Sequence, residues 1–143
     1  MATVIIRPTG EPTTTGFDVS DATFIARIND DDTSTVATQN NVTCSATGVE
    51  FANDSAYESQ TINSITLSVT GASTGRGAPT VTCTLFNGNS TLQTSELTFS
   101  SATTLSGSAY TTSLTPTIVN NLTATIDPDG TGVALKEVFI TVD

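Results

Sequence analysis

Ile65-Thr66-Leu67-Ser68-Val69-Thr70 and, after a glycine-bearing interval, Val81-Thr82-Cys83-Thr84-Leu85-Phe86-Asn87-Gly88 decide the fold. In each run apolar residues alternate with hydroxyl residues, which gives a strand one dry face and one wet face. Asn87-Gly88 is a strong hairpin signal because both residues tolerate positive φ. The pattern recurs outward from this pair. Leu97 and Phe99 mark a further strand, as do Tyr110 to Leu114, then Leu122, Ala124 and Ile126, and finally Val138, Ile140 and Val142. Asp127-Pro128-Asp129-Gly130 reads as the turn before the last strand, and Gly71 to Pro79 as a loop with Gly75-Arg76-Gly77 at its tip.

Toward the N-terminus, Val4-Ile5-Ile6-Arg7 reads as a first strand closed by Pro8, and Thr9 to Ser20 as a loop. Ala22 to Ile28 reads as a second strand with Phe24, Ala26 and Ile28 on one face. Asn29-Asp30-Asp31-Asp32 is a polar turn. Short strands follow around Thr35 to Thr38, Val42 to Ala46 and Val49 to Ala52, and Asn53 to Ser59 has room for one short helical turn. Many short strands at even spacing indicate an all-β antiparallel sandwich, jelly-roll-like, with little or no helix. The 143 residues form one domain, residues 1–143, with 1–16 expected as an extended arm.

Composition supports a folded β protein. Ser and Thr make up about a third of the chain, and 36% of residues are hydrophobic against 13% charged. Threonine is β-branched and suits a half-wet pleated face. The net charge is −10 with only four Lys and Arg, so nucleic acid and anionic membranes are not expected partners. No basic leader with a long apolar stretch opens the sequence, so the expected site of synthesis is a cytosol.

The residue inventory narrows the chemistry. The chain has no His, which removes Ser-His-Asp and Cys-His catalysis. Glu50, Glu58, Glu96 and Glu137 could in form supply a glycosidase pair, but each reads as solvent-facing beside an alternating strand. No enzyme and no cofactor is therefore expected. Asp30, Asp31 and Asp32, and Asp127 with Asp129, are either calcium ligands or turn-capping residues. Cys44 and Cys83 both read as inward-facing, either as two reduced core thiols or as a disulfide. Sequons begin at Asn41, Asn53, Asn89 and Asn121, a number that chance supplies in so hydroxyl-rich a chain. With no Trp, Tyr57 and Tyr110 are the amphipathic rings open to a sugar, while Phe17, Phe24, Phe51, Phe86, Phe99 and Phe139 suit a core or an interface.

Met1-Ala2-Thr3-Val4-Ile5-Ile6-Arg7-Pro8-Thr9-Gly10 resembles the opening of small structural proteins of tailed phages. Ile62-Asn63-Ser64-Ile65-Thr66-Leu67-Ser68-Val69, and the closing Val138-Phe139-Ile140-Thr141-Val142-Asp143, are similar to later strands of the same group. The resemblance implies a jelly-roll-like virion protein with no catalytic residues, made in the host cytoplasm. The expected role is capsid decoration, cementing the major capsid protein or other virion proteins, as a homo-oligomer for which a trimer is plausible. Val4, Ile5, Ile6, Arg7, Pro8 and Arg76 are the interface candidates. The alternatives are a tail, baseplate or fibre component, or a carbohydrate- or receptor-binding module on the virion.

Overall fold

A computed structural model describes residues 3–19, 22–29, 36–39, 44–52, 55–75, 77–129 and 132–143. Its strands are β1 (Val4–Ile6), β2 (Thr13–Thr15), β3 (Phe17–Asp18), β4 (Ala37–Gln39), β5 (Ser45–Glu50) and β6 (Ile65–Ser73). They continue as β7 (Thr80–Asn87), β8 (Ser90–Thr98), β9 (Thr103–Ser106), β10 (Leu122–Pro128) and β11 (Val133–Val142). Two single-turn helices, α1 (Phe24–Ile28) and α2 (Pro116–Asn120), and a 3-10 turn at Ser55–Tyr57 complete the described elements.

The strands form two antiparallel sheets. One runs β3-β4-β11-β6-β9 with β1 also paired to β11, and the other runs β2-β5-β10-β7-β8. From β4 to β7, and again from β8 to β11, the chain alternates between sheets, which is the jelly-roll-like sandwich expected. Ile65, Leu67 and Val69 of β6 and Leu135, Val138, Ile140 and Val142 of β11 face Val81, Cys83 and Leu85 of β7 and Leu122, Ala124 and Ile126 of β10 across one core. Gly71 lets the neighbouring strand and a core ring approach β6 closely: a Cβ there would meet the Ala134 carbonyl of β11 at 3.1 Å and the Phe99 ring at 3.3 Å.

Several expectations need correction. Ala22 to Ile28 is not a strand: Phe24–Ile28 is α1, with Thr23 as its cap accepting from the Ala26 N–H. Phe24 and Ile28 are four apart, so they share a face in a helix as well as in a strand, and the exposed Ala26 separates the two readings. The Glu11 carboxylate accepts from the Phe24 and Ile25 N–H groups at 2.7 and 3.1 Å, a long-range cap that local pattern cannot reveal. Thr9 to Ser20 holds β2 and β3, and β6 runs on through Ser73 into the expected loop. The strands read at Val42 to Ala46 and Val49 to Ala52 meet in one strand, β5, with Gly48 at φ +75° between them, while Val42 and Thr43 lie outside the described residues. Tyr110 makes a single bridge to Ile65 instead of opening a strand.

The first sixteen residues are not a free arm over their described part. β1 pairs with β11, Pro8 bridges to Phe51 at the end of β5, and β2 pairs with β5. The segment therefore stitches the two sheets together.

Candidate binding cleft

One end of the β5-β10-β7 sheet carries an open cleft of about 690 Å³. Three chain segments converge there because of strand register. β10 sets Leu122 opposite Asn87, and Thr123 between Phe86 and Glu50. The N-terminal segment runs antiparallel past the end of β5, with the Thr9 N–H donating to the Glu50 carbonyl and the Ala52 N–H to the Arg7 carbonyl, both at 2.8 Å. The β7–β8 turn adds Asn87 and Gly88, and Gly88 takes φ +57°, which an L side chain resists.

α2 delivers the remaining wall. Thr115 caps it and accepts from the Ile118 N–H, Pro116 stands in its first turn, and Val119 anchors it in the core. Its C-terminal end presents Asn120 and Asn121 to the cleft. The buried Tyr57 hydroxyl donates to Asn120 Oδ1 at 2.5 Å, which holds that amide in place and leaves it its two N–H donors.

The lining is thus Thr9, Glu50, Asn87, Asn120, Asn121 and Thr123 over Phe51 and Leu122. Asn87 and Asn121 carry both donors and an acceptor, Asn120 keeps its two donors, and Glu50 offers acceptors only. Phe51 is 6% exposed and cannot present a ring face. The cleft is equipped to pair with neighbouring hydroxyl groups by hydrogen bonds and not by aromatic stacking.

Few residues singled out in the sequence meet in this place. Glu50 does, and Asn121 does as an amide. Glu50 and Glu96 share a sheet but stand three strands apart, roughly 14 Å at the usual strand spacing. That exceeds the separation of about 5–9.5 Å that a glycosidase pair uses. Glu58 is exposed beyond the 3-10 turn. Glu137 was expected to face solvent and is instead buried, on the other sheet. A register shift between Leu135 and Glu137 turns it onto Arg7, whose Nη1 lies 3.4 Å from Oε1, while the Thr70 hydroxyl donates to Oε2 at 3.4 Å. Arg7 also lies 5.7 Å over the Phe139 ring.

Of the interface candidates, Ile6 and Pro8 are buried, Val4 and Arg7 half-buried, and Ile5 is 51% exposed. Arg76 lies outside the described residues, as do Asp30, Asp31 and Asp32. Asp127 and Pro128, expected in a turn, belong to β10, and Asp129 just beyond ties that strand to the start of β7, its carboxylate accepting from the Thr80 N–H at 3.0 Å and its own N–H donating to the Thr80 carbonyl. Among the described residues no three Cys, Asp or Glu side chains gather to hold a metal. Cys44 and Cys83 are buried and free, so of the two readings the structure adopts the unbonded one. Burial, and then the charge of Asp127, pushes both thiols up to about 12. Tyr57 is fully buried and Tyr110 half-buried, and Phe24, Phe51 and Phe99 fill the core.

Sequence reading missed Asn87 and Asn120 as site residues. Asn87 was visible only as a turn signal, and Asn120 is brought to the cleft by a five-residue helix too short to show a period.

No family model matches the chain, and no curated relative matches it. Its fold is similar to solved structures. The C-terminal CBM6 of LamC, a marine laminarinase from Zobellia galactanivorans, superposes with a TM-score of 0.53 at 12% identity, covering 99% of this chain and 98% of that one. The GH26-CBM35 β-(1,4)-mannanase of Podospora anserina gives a TM-score of 0.51 at 15% identity over 98% of this chain, which spans 27% of that protein. The likeness is one of fold, a β-sandwich of the kind found in carbohydrate-binding modules.

Proposed function

We propose that this chain is a non-catalytic β-sandwich module that binds carbohydrate in the end cleft, serving as a receptor-binding part of a phage particle. The observation that carries the reading is the cleft itself, where three amides, a carboxylate and two threonines surround a depression large enough for a small ligand. Likeness to sandwiches of carbohydrate-binding modules supports the ligand class. The sequence resemblance supports the virion.

Capsid cementing is the second reading, favoured by Ile5, the one exposed large hydrophobic among the described residues. It points to the solvent side of β1 opposite Thr141, on the sheet that also carries the half-buried Phe139. Such a group fits a protein contact better than a sugar contact.

An oligosaccharide array probed with the free protein separates the two. Carbohydrate binding predicts retention on a defined glycan, lowered roughly tenfold by Asn120→Ala through the loss of one buried hydrogen-bonding group. Cementing predicts no retained glycan, and saturable binding to empty heads that Ile5→Asp abolishes.

A further inference from the structure

We infer that the end cleft selects its glycan by charge, preferring sugars that carry amines over neutral ones and rejecting those that carry carboxylates or sulfates; the inference rests on the carbohydrate reading above. Glu50 is exposed on the cleft wall and is the single charged residue of its lining among the described residues. Among the described residues no cation stands there to balance it. Of the described cations, Arg7, Arg27 and Lys136, none lines the cleft. Arg7 is turned onto Glu137 and Phe139, on the outer side of the other sheet. The Arg27 Nε donates to the Val19 carbonyl at 2.9 Å. Gly10 lies beside the Glu50 carboxylate, where a Cβ would stand 3.3 Å from Oε2.

A ligand carboxylate entering this cleft would meet a like charge with only amide and hydroxyl donors to offset it. Like charges at close range disfavour one another, and the net charge of −10 adds to the repulsion at a distance. An ammonium group in the same position gains an acceptor-only partner. The three asparagines remain indifferent to charge and hold the hydroxyl groups common to all these sugars.

The test is titration of the full chain with three hexamers, of glucosamine, N-acetylglucosamine and galacturonate. It is run at about pH 6, where amines of ordinary strength are protonated. The glucosamine hexamer should bind about threefold more tightly than its acetylated counterpart at low salt, the range of an exposed ion pair. The preference should vanish at about 0.5 M salt, where screening is complete within a few ångströms. Glu50→Gln should remove it, so that the glucosamine and N-acetylglucosamine hexamers bind the variant equally well at low salt. Equal binding of the first two, or tighter binding of galacturonate, would overturn charge selection and leave the carbohydrate reading standing. No binding of any hexamer, together with an empty glycan array, would remove that reading itself.

Discussion

Cys44 and Cys83 carry thiols held near 12 against an ordinary value of 9.0, first by burial and second by Asp127. A raised thiol pKa makes the folded chain keep protons that the unfolded chain releases above pH 9. Stability is then unaffected below pH 9 and falls as pH climbs from there toward 12. Each such thiol contributes a slope of at most about 1.4 kcal/mol per pH unit. Chemical denaturation at stepped pH should show this decline, and Cys83→Ala should flatten it while lowering stability below pH 9. A decline of equal slope in the variant would refute the assignment. Inward placement of both cysteines was legible from their alternation with Val81 and Leu85, and with Ala46. The burial of Glu137 was not, because it depends on a shifted register in β11 and on Arg7, 130 residues away.

At the scale of elements, the long alternating strands were legible and the short ones were not. β6, β7, β10 and β11 each carry three or more inward residues at period two, and their sequence alone marks the face. β2 and β3 total five residues, and all three residues of β2 are exposed, so no hydrophobic period exists to find. α1 escaped for a different reason, since Phe24 and Ile28 satisfy both periods and its stabilising contacts come from Thr23 and the distant Glu11. Thr23→Ala removes a side-chain cap and should cost about 1 kcal/mol in equilibrium unfolding. Thr23→Ser should restore most of it. If Thr23→Ala changed nothing, Glu11 alone would suffice to hold the helix start.

At the scale of the whole molecule, the cleft exists because the sandwich brings together positions remote in sequence. Thr9, Glu50, Asn87 and Asn120 come from four separate stretches, joined by the pairing of β10 with both β5 and β7 and by the N-terminal segment bridging at Pro8. Sandwich topology was readable from strand spacing, but which strand ends share an edge was not, since that is fixed by register. Carbohydrate binding at this end is the central claim, and backbone amide NMR during titration with an oligosaccharide retained on the array tests it most directly. Saturable shifts confined to residues 9, 50–52, 87–88 and 120–123 are the predicted result. Shifts centred instead on Ile5, Arg7 and Phe139, with that end of the molecule silent, would contradict it.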